Sequence, residues 1–272
     1  MSHSTMGPVV LVGAGNMGGA MLTGWLKSGV PGSSVTVIDP GPSDAMLAQI
    51  ADAGATYSRD VPADLKAGIL FLALKPQVMA TVLPGLKALV GPQTVVVSVA
   101  AGKTLAFMEE HLGAAAMVRA MPNTPAMIGR GVTGAFANAA VSAEQRDIVH
   151  RLLKVSGPVE WLEGEEQINA VTAVSGSGPA YVFYLVECMA EAGRKAGLQA
   201  DLAMRLARET VAGAGELLHR SPDAAARLRQ NVTSPGGTTA AALSVLMADE
   251  GMQPLFDKAI EAARKRAEEL AG

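Results

Sequence analysis

Short apolar runs alternate with helical stretches in the first part of the chain, up to about Leu162. Runs that are apolar at nearly every position are typical of strands in a parallel sheet that is covered on both faces. The strands predicted from these runs are Val9–Val12, Val35–Asp39, Ile69–Leu74, Val95–Val99 and Met117–Met121. This alternation predicts a doubly wound domain of the Rossmann type over residues 1–162.

After about Glu163 the pattern changes to helical spacing, with Ala, Leu, Glu and Arg recurring along each stretch. The predicted helices are Ala180–Ala196, Leu202–His219, Asp223–Gln230, Ala240–Met247 and Gly251–Leu270. Because no low-complexity linker separates the two patterns, we expect a helix to begin near Leu162–Gln167. The predicted fold class is therefore α/β, with a Rossmann-type doubly wound sheet followed by an all-α domain over residues 163–272.

Composition and charge exclude several classes of protein. The chain has 272 residues, 49% of them hydrophobic, so it can bury a substantial core and is neither disordered nor fibrous. Its formal net charge of −3 provides no general attraction for nucleic acid or anionic lipid, so neither is an expected partner. No apolar stretch approaches the ~20 residues that span a bilayer. With a single cysteine, Cys188, interpreted as a buried thiol, these features predict a cytoplasmic protein.

A glycine-rich turn carries the first chemical signal. The strand Val9–Val12 is followed directly by the run Gly13-Ala14-Gly15-Asn16-Met17-Gly18, which opens a helical stretch, as in a dinucleotide-binding turn. We expect Gly13 to permit the tight turn, Gly15 to admit a pyrophosphate and Gly18 to bring helix and strand together. Free N–H groups at the helix start would bind the phosphates. The alternative is a glycine-rich turn with a purely structural role.

The end of the second predicted strand bears on the choice of dinucleotide. Asp39 follows Val35-Thr36-Val37-Ile38, at the position where an acidic residue would bind the adenosine ribose diol. Such a carboxylate favours NAD over NADP, and no Lys or Arg follows until Arg59. In the alternative interpretation, Asp39 is only a turn residue before Pro40-Gly41.

Two further segments follow predicted strands and would face the ligand crevice. The first, Leu74-Lys75-Pro76-Gln77, would bring Lys75 near the cofactor phosphates or ribose, or would simply expose a lysine beside a helix-starting proline. The second, the rigid loop Arg119-Ala120-Met121-Pro122-Asn123-Thr124-Pro125, offers the donor and acceptor of Asn123 to the nicotinamide, or is only a turn.

The helical part contains two more candidate functional segments. The run Val174-Ser175-Gly176-Ser177-Gly178-Pro179-Ala180-Tyr181 puts small residues before a long helix, for packing or for substrate access. The second is a polar turn, Asn231 to Thr239, at the start of the helix Ala240–Met247. Exposed N–H groups there, with nearby hydroxyls, would bind a small carboxylate. The alternative is simple helix capping.

Together these segments resemble pyrroline-5-carboxylate reductases. The matching runs are Gly13–Gly18, Ala73–Pro76, Arg119–Pro125, Ser175–Tyr181 and Val232–Thr239, in order along nearly the whole chain. The last, with Ser-Pro-Gly-Gly, is highly specific to that family. The resemblance implies reduction of (S)-1-pyrroline-5-carboxylate to L-proline, the last step of proline biosynthesis, with NADPH or NADH as hydride donor. It also implies that the helical domain is a dimerisation domain, with dimers often assembled into a decamer.

The resemblance assigns roles by position. Thr239 would be the catalytic residue, through a hydrogen bond to the ring nitrogen. The substrate would be bound by Glu165, Val232, Ser234, Gly237, Thr238 and Thr239. The cofactor would be bound by Gly13, Gly15, Asn16, Met17, Gly18, Asp39, Asp60, Leu74, Lys75, Pro76, Ala101, Asn123 and Asn231. Asp60 stands where related reductases often have Asn, and a carboxylate there would repel a 2′-phosphate, so the preference between NADPH and NADH stays open.

Other function classes have their own sequence requirements. A hydroxyacid dehydrogenase of the 6-phosphogluconate dehydrogenase type would need a lysine a few residues after a glycine-rich helix start, but the first lysine after Gly178 is Lys195. A non-catalytic dinucleotide-sensing protein would have no reason to keep the hydroxyls from Ser234 to Thr239. The four histidines include no pair at helical metal spacing and have no cysteine partner, so we expect no metal site.

Overall fold

The computed structural model describes residues 7–271, and within them an eight-stranded sheet forms the centre of the first half. The strands are β1 Val9–Val12, β2 Val35–Ile38, β3 Thr56–Ser58, β4 Ile69–Leu72, β5 Val95–Ser98, β6 Ala116–Met121, β7 Thr133–Ala137 and β8 Val159–Trp161. They lie in the order β3-β2-β1-β4-β5-β6-β7-β8. The five predicted strands are confirmed to within one or two residues at their ends.

Three strands and one strand direction differ from the prediction. β3, β7 and β8 are short and lack long apolar runs, so no sequence pattern indicated them. β7 runs antiparallel to β6, whereas a parallel sheet was expected. The connection between these strands contains only a 3-10 turn, Thr124–Ile128, and bends at Gly129, where φ is +70°. Because a parallel crossover usually needs a helix, this short connection returns the chain in the opposite direction.

Helices follow most strands and fill the second half. They are α1 Asn16–Lys27, α2 Asp44–Asp52, α3 Pro76–Leu86, α4 Leu105–Leu112, α5 Ala143–Lys154, α6 Gln167–Val171, α7 Gly178–Lys195, α8 Ala200–Arg220, α9 Ala225–Asn231, α10 Thr238–Leu246 and α11 Met252–Ala271. Side chains cap several N-termini: Ser43 accepts a hydrogen bond at α2, Thr104 at α4, and Ser142 forms a capping box with Gln145 at α5. The helix expected near Leu162–Gln167 is α6.

Buried side chains cover both faces of the sheet. On one face Trp25 is fully buried, donates its Nε1–H to the Leu152 carbonyl at 2.9 Å, and meets the Phe71 ring edge to face. The other face packs α3 and α4 through Met79, Leu83 and other apolar side chains. Successive residues of β1 alternate between the two clusters. The doubly wound class predicted from the apolar runs is therefore confirmed.

The chain divides into two compact units. The first comprises Met1–Gly176 with Ala263–Gly272, and the second comprises Ser177–Ala262. In the first unit, α6 packs against β6 and β7. The helix and the strand approach closely at Gly134, where an added Cβ would come within 2.8 Å of the Val171 side chain. Within residues 7–271 no helix has the length and apolar character needed to cross a bilayer.

The second unit is helical and has almost no buried interior of its own. α7 and α8 pack side by side, with Gly193 close to Ala203. Of the residues in this unit only Ala190, Ala203 and Ala207 are buried, and Cys188, expected to be buried, is exposed. The apolar side chains that are at least half exposed are Phe183, Tyr184, Leu206, Leu217, Leu218, Val232, Val245, Met247 and Leu255. Apolar surface on this scale marks an interaction surface.

Candidate functional site

The carboxyl ends of four parallel strands bring several predicted cofactor residues to one edge of the sheet. Ile38, Val12, Leu72 and Ser98 stand side by side in register. Neighbouring strands lie ~4.8 Å apart, so the residues that follow them share this edge. Those residues include Gly13, Asp39, Leu74, Lys75 and Ala101. The chain leaves β1 for β2 on one side and later enters β4 on the other, which makes β1 the switch point where such sheets bind dinucleotides.

The three glycines of the first turn have the geometry that their pattern predicts. Gly13 has φ of +92°, and a Cβ built on it would come within 2.6 Å of the Ala73 carbonyl oxygen. A Cβ on Gly18 would overlap the carbonyl oxygen of Gly13. At Gly15 a Cβ would meet no atom within 4 Å, so the backbone there is open to an approaching group.

The start of α1 fits the pyrophosphate of a dinucleotide. Asn16 is its first residue and is exposed, while Met17 packs partly into the core. No side chain caps this N-terminus, and its first turn contains no acidic residue. The first N–H groups of a helix have no partner within the helix, and the helix dipole favours an anion there. An uncapped N-terminus beside an open glycine therefore suits two phosphates.

Asp39 links this turn to the connection between β2 and α2. Its Oδ2 accepts a hydrogen bond from the Ala14 N–H at 2.7 Å, and its Oδ1 accepts one from the Gly41 N–H at 2.8 Å. The carboxylate also lines a cleft of about 410 Å³, together with Ala14, Gly15, Asn16, Gly41 and Ser43. Asp39 therefore stabilises the turn, as expected if it is a turn residue. It also lies at the end of β2 beside the glycine turn, as expected if it binds the adenosine ribose.

Other predicted cofactor residues lie at the same sheet edge but outside the lining of this cleft. Lys75 is exposed and precedes Pro76, the first residue of α3, whereas Leu74 is half-buried. Asp60 is exposed two residues after β3, and its carbonyl oxygen accepts a hydrogen bond from the Ser58 hydroxyl at 2.6 Å. Ala101 is half-buried after β5.

Asn123 holds the loop after β6 in place. Its Oδ1 accepts a hydrogen bond from the Val132 N–H at 3.0 Å, across the reversal that leads into β7. The acceptor end of the amide is therefore engaged within the protein, and its Nδ2 group is the end suited to a ligand.

Arg119 was not singled out from the sequence, although a charged residue inside an apolar strand was an available signal. Its side chain is only 3% exposed, and its Nη1 donates to Glu165 Oε1 at 3.0 Å. The same oxygen accepts the Leu105 N–H at 2.8 Å, at the start of α4. Arg119 Nε is buried with no hydrogen-bond partner. Glu165, predicted to line the substrate pocket, thus joins β6 to α4 through a largely buried ion pair.

Replacing Glu165 with alanine is expected to destabilise the chain more than replacing Arg119 with methionine. The first change leaves a buried guanidinium without its carboxylate and costs about 3 kcal/mol in free energy of unfolding. The second removes the buried charge, keeps most of the apolar volume and costs about 1 kcal/mol. Urea unfolding near neutral pH measures both, with Glu163→Ala as the exposed control. Equal losses for the two variants would contradict this account of the pair.

The small-residue segment before α7 contains a π-helical turn, Thr172–Gly176. The Ser175 hydroxyl donates to the Val171 carbonyl at 3.0 Å. A Cβ on Gly176 would come within 2.7 Å of the Met121 methyl group at the end of β6. Close packing is therefore one reason for the small residue at Gly176. Wide turns of this kind occur often at functional sites.

The predicted carboxylate site lies in the second unit, between α9 and α10. α9 ends at Asn231, and α10 begins at Thr238 with Gly237 as its N-cap. No side chain caps α10, and its first turn has no acidic residue, so simple side-chain capping does not account for this segment. Gly236 has φ of +70°, and the Gly237 N–H donates to the Ser234 carbonyl at 3.0 Å. Thr239 is half-buried in the first turn.

The predicted residues fall in both units. The glycine turn, the sheet edge, Asn123 and Glu165 belong to the first, whereas Asn231 and Val232–Thr239 belong to the second. Within residues 7–271 no group of three or more His, Cys, Asp or Glu side chains is arranged to hold a metal ion. His3 lies outside the described residues, and the absence of a metal stays a prediction.

Comparisons with known proteins point to one family. Residues 165–270 match a family model described as pyrroline-5-carboxylate reductase dimerisation, and residues 8–102 match one described as NADP oxidoreductase, coenzyme F420-dependent. A pyrroline-5-carboxylate reductase of Pseudomonas aeruginosa is 41% identical over 97% of this chain and 96% of that protein. One of Mycobacterium tuberculosis is 37% identical over 97% of each chain.

Solved structures show the same relationship. A pyrroline-5-carboxylate reductase from Coxiella burnetii has a TM-score of 0.91 and 34% identity, covering 98% of this chain and all of that one. The fold is shared with a pyrroline carboxylate reductase of Plasmodium falciparum with NADP bound, at a TM-score of 0.79 and 24% identity over the full length of both chains. Identity above 30% along almost the entire chain decides the relationship. The chain belongs to the pyrroline-5-carboxylate reductase family.

Proposed function

We propose that this chain reduces (S)-1-pyrroline-5-carboxylate to L-proline with NADPH or NADH. The observation that carries the proposal is the start of α10, where no side chain caps the N-terminus and the first two residues, Thr238 and Thr239, carry hydroxyls. Family membership and the dinucleotide geometry at the end of β1 support it. A bound NAD(P)H would supply the hydride to the imine carbon. As the C–H bond forms, the π electrons of the C=N bond pass to the nitrogen, whose proton arrives with the iminium form from water, so no strong general acid is required.

In this proposal the sheet edge and its neighbours bind the dinucleotide. The residues concerned in the first unit are Gly13, Gly15, Asn16, Met17, Gly18, Asp39, Asp60, Leu74, Lys75, Pro76, Ala101 and Asn123, and the family resemblance adds Asn231 of the second unit. The open backbone at Gly15 and the uncapped start of α1 would bind the pyrophosphate. The amide of Asn123, fixed through its oxygen, would orient the nicotinamide.

The turn before α10 would bind the substrate. The Thr238 N–H and the Ser234 hydroxyl would hold its carboxylate at a helix N-terminus, and the Gly237 N–H, which donates to the Ser234 carbonyl, would hold the turn in shape beside it. The Thr239 hydroxyl would hydrogen-bond the ring nitrogen and so orient the imine carbon. The family resemblance also assigns Val232 and Glu165 to substrate binding, and Glu165 is held by Arg119 within the first unit.

Removing the Thr239 hydroxyl is expected to lower kcat about 100-fold while dinucleotide affinity stays unchanged, because the imine loses its orientation. Thr239→Ser should restore most of the rate. The matched control is Thr233→Ala, since the Thr233 hydroxyl donates to the Arg229 carbonyl and would not reach the substrate. Nicotinamide absorbance with racemic pyrroline-5-carboxylate measures the rates. A Thr239→Ala protein as active as the wild type would contradict the assignment.

Two other functions have less support. In a hydroxyacid dehydrogenase the catalytic lysine would lie near a helix start, but Lys195 is the last of the 18 residues of α7, ~25 Å from Gly178 at 1.5 Å per residue, and is near Glu191. A dinucleotide-sensing protein would show no turnover with either cofactor. Absence of turnover in a folded, NADH-binding wild type would therefore favour the sensor and contradict the reductase.

We also propose that the functional domains are residues 1–162 and 163–272, and that the second covers its exposed apolar side chains with a second copy of itself. The support is that the second unit buries only three alanines, while its large apolar residues are exposed. The matched dimerisation model over residues 165–270 agrees with this proposal. Assembly of dimers into a decamer, the cytoplasmic location and the absence of nucleic-acid partners stay predictions from the sequence.

A further inference from the structure

We infer that Asp39 makes NADH, rather than NADPH, the preferred dinucleotide of this chain. The inference rests on the proposed cofactor site, and it concerns the adenosine end of the dinucleotide, away from the reacting carbon. NADP differs from NAD only in a phosphate on the 2′-hydroxyl of the adenosine ribose. The groups that line the cleft beside Asp39 therefore decide between the two.

The Asp39 carboxylate is held in place and keeps capacity for a ribose. One oxygen accepts the Ala14 N–H at 2.7 Å and the other accepts the Gly41 N–H at 2.8 Å. A carboxylate offers about four acceptor positions, so each oxygen can accept one more hydrogen bond. Two adjacent hydroxyls, as on an unphosphorylated ribose, are donors that match these two oxygens. The two backbone bonds also fix the carboxylate, so it cannot swing away from a 2′-phosphate without breaking both.

The cleft has the wrong charge for a 2′-phosphate. Of the described residues that line it, Asp39 alone carries a formal charge. A phosphate beside it would meet a carboxylate with no lysine or arginine in the lining to offset the repulsion. A ribose hydroxyl at the same place carries no charge, so it is not repelled by the Asp39 carboxylate. The lining thus favours the dinucleotide without the extra phosphate.

The nearby helix start does not supply a phosphate site either. Ser43, the polar residue nearest the start of α2, already accepts the Met46 N–H at 3.3 Å as the N-cap. The first residue of α2 is Asp44, whose charge opposes a second anion at this N-terminus. The Ser43 hydroxyl is therefore already engaged as the N-cap, and the Asp44 charge offsets the helix dipole that would otherwise attract a phosphate.

Arg59 is the cation whose position could favour a 2′-phosphate. It follows β3, and the Asp39 N–H donates to the Ser58 carbonyl at 3.2 Å, so Arg59 lies near the same sheet edge. Its side chain is exposed, and Arg59 is not among the residues that line the cleft. Asp60, which follows it directly in the sequence, is also exposed and carries the opposite charge. We therefore expect Arg59 to contribute little to NADPH binding.

The wild-type chain should show kcat/KM higher for NADH than for NADPH by roughly tenfold or more. The difference should lie in KM for the dinucleotide rather than in kcat, because the ribose is remote from the reaction. The ratio of kcat/KM for NADH to that for NADPH should fall as the salt concentration rises to about 0.5 M, since salt screens the repulsion at a partly exposed carboxylate.

Variants test whether the charge of Asp39 sets the preference between the two dinucleotides. Asp39→Asn and Asp39→Ser remove the charge and should lower the NADH-to-NADPH ratio roughly tenfold, mainly through tighter NADPH binding. The matched control is Asp52→Asn, which removes an exposed carboxylate at the other end of α2 and should leave the ratio unchanged. Arg59→Gln should leave it unchanged as well. A selective loss of NADPH binding in Arg59→Gln would identify a phosphate site and overturn the inference.

Binding without the imine separates this inference from the proposed function. ADP-ribose and its 2′-phosphorylated form are titrated as competitors against NADH fluorescence in the wild-type protein, which needs no variant to fold. Weaker binding of the phosphorylated form, by roughly tenfold, supports the role of Asp39 even if no imine is reduced. Equal or tighter binding of that form overturns the inference, whether or not the protein is a reductase.

Discussion

Alanine at Gly18 is expected to disrupt the first unit, because the added methyl group has no space. A Cβ built there overlaps the carbonyl oxygen of Gly13 and comes within 3.0 Å of the Ala73 methyl group. The overlapping neighbour is backbone in a turn whose φ at Gly13 is +92°, so it cannot move without opening the turn. We expect a loss of about 3 kcal/mol in free energy of unfolding, together with loss of dinucleotide binding.

The same substitution at Gly15 is the matched comparison, because a Cβ there meets no atom within 4 Å. Gly15→Ala should therefore fold normally but bind NADH roughly tenfold or more weakly, since the methyl group would stand where the pyrophosphate approaches. Gly85→Ala, in α3 and also in open space, controls for the substitution itself. Thermal unfolding and NADH fluorescence measure both properties. A stable Gly18→Ala protein or a tightly binding Gly15→Ala protein would disprove the corresponding role.

Aspartate at Phe183 is expected to separate the subunits and abolish activity. Phe183 lies in α7, is 62% exposed in the single chain, and belongs to a unit that buries only three alanines. A charge in the middle of a surface that has to be covered by a second copy should weaken dimerisation about 100-fold or more. Because the unit has so little interior of its own, we expect the separated chains to unfold at a lower temperature.

Light scattering across protein concentrations measures this effect. The wild type should be a dimer or larger, with a melting temperature that rises with concentration. Ile128→Asp is the control, since Ile128 is 78% exposed but lies in the first unit, and it should leave the assembly intact. A wild-type protein that is a stable monomer, or a Phe183→Asp protein that still assembles and turns over, would rule out the proposed interface.

Features encoded over a few neighbouring residues were predictable. Continuous apolar runs indicated five of the strands, and helical spacing indicated the helices from α7 to α11. The roles of Gly13 and Gly18 followed from their place between strand and helix, and the structure has that geometry. The short strands β3, β7 and β8 left no such pattern, since each is stabilised mainly by pairing with a neighbour already in the sheet.

Features that join distant residues were not predictable. The sequence allowed Asp39 to be either a ribose ligand or a turn residue, and its bond to Ala14 spans 25 positions. The ion pair of Arg119 and Glu165 spans 46 positions, so no local pattern could pair them. The exposure of Cys188 depends on what covers α7, which its own neighbours in the sequence do not specify.

The sequence by itself therefore determined the fold class, the position of the dinucleotide turn and the family, because each is encoded in local spacing or in short runs of specific residues. Only the tertiary structure decided the direction of β7, the two hydrogen bonds that fix Asp39, the ion pair behind Glu165 and the lack of a buried core in the second unit. The physical reason is that these depend on which distant segments meet, and on the space and charge that remain when they do.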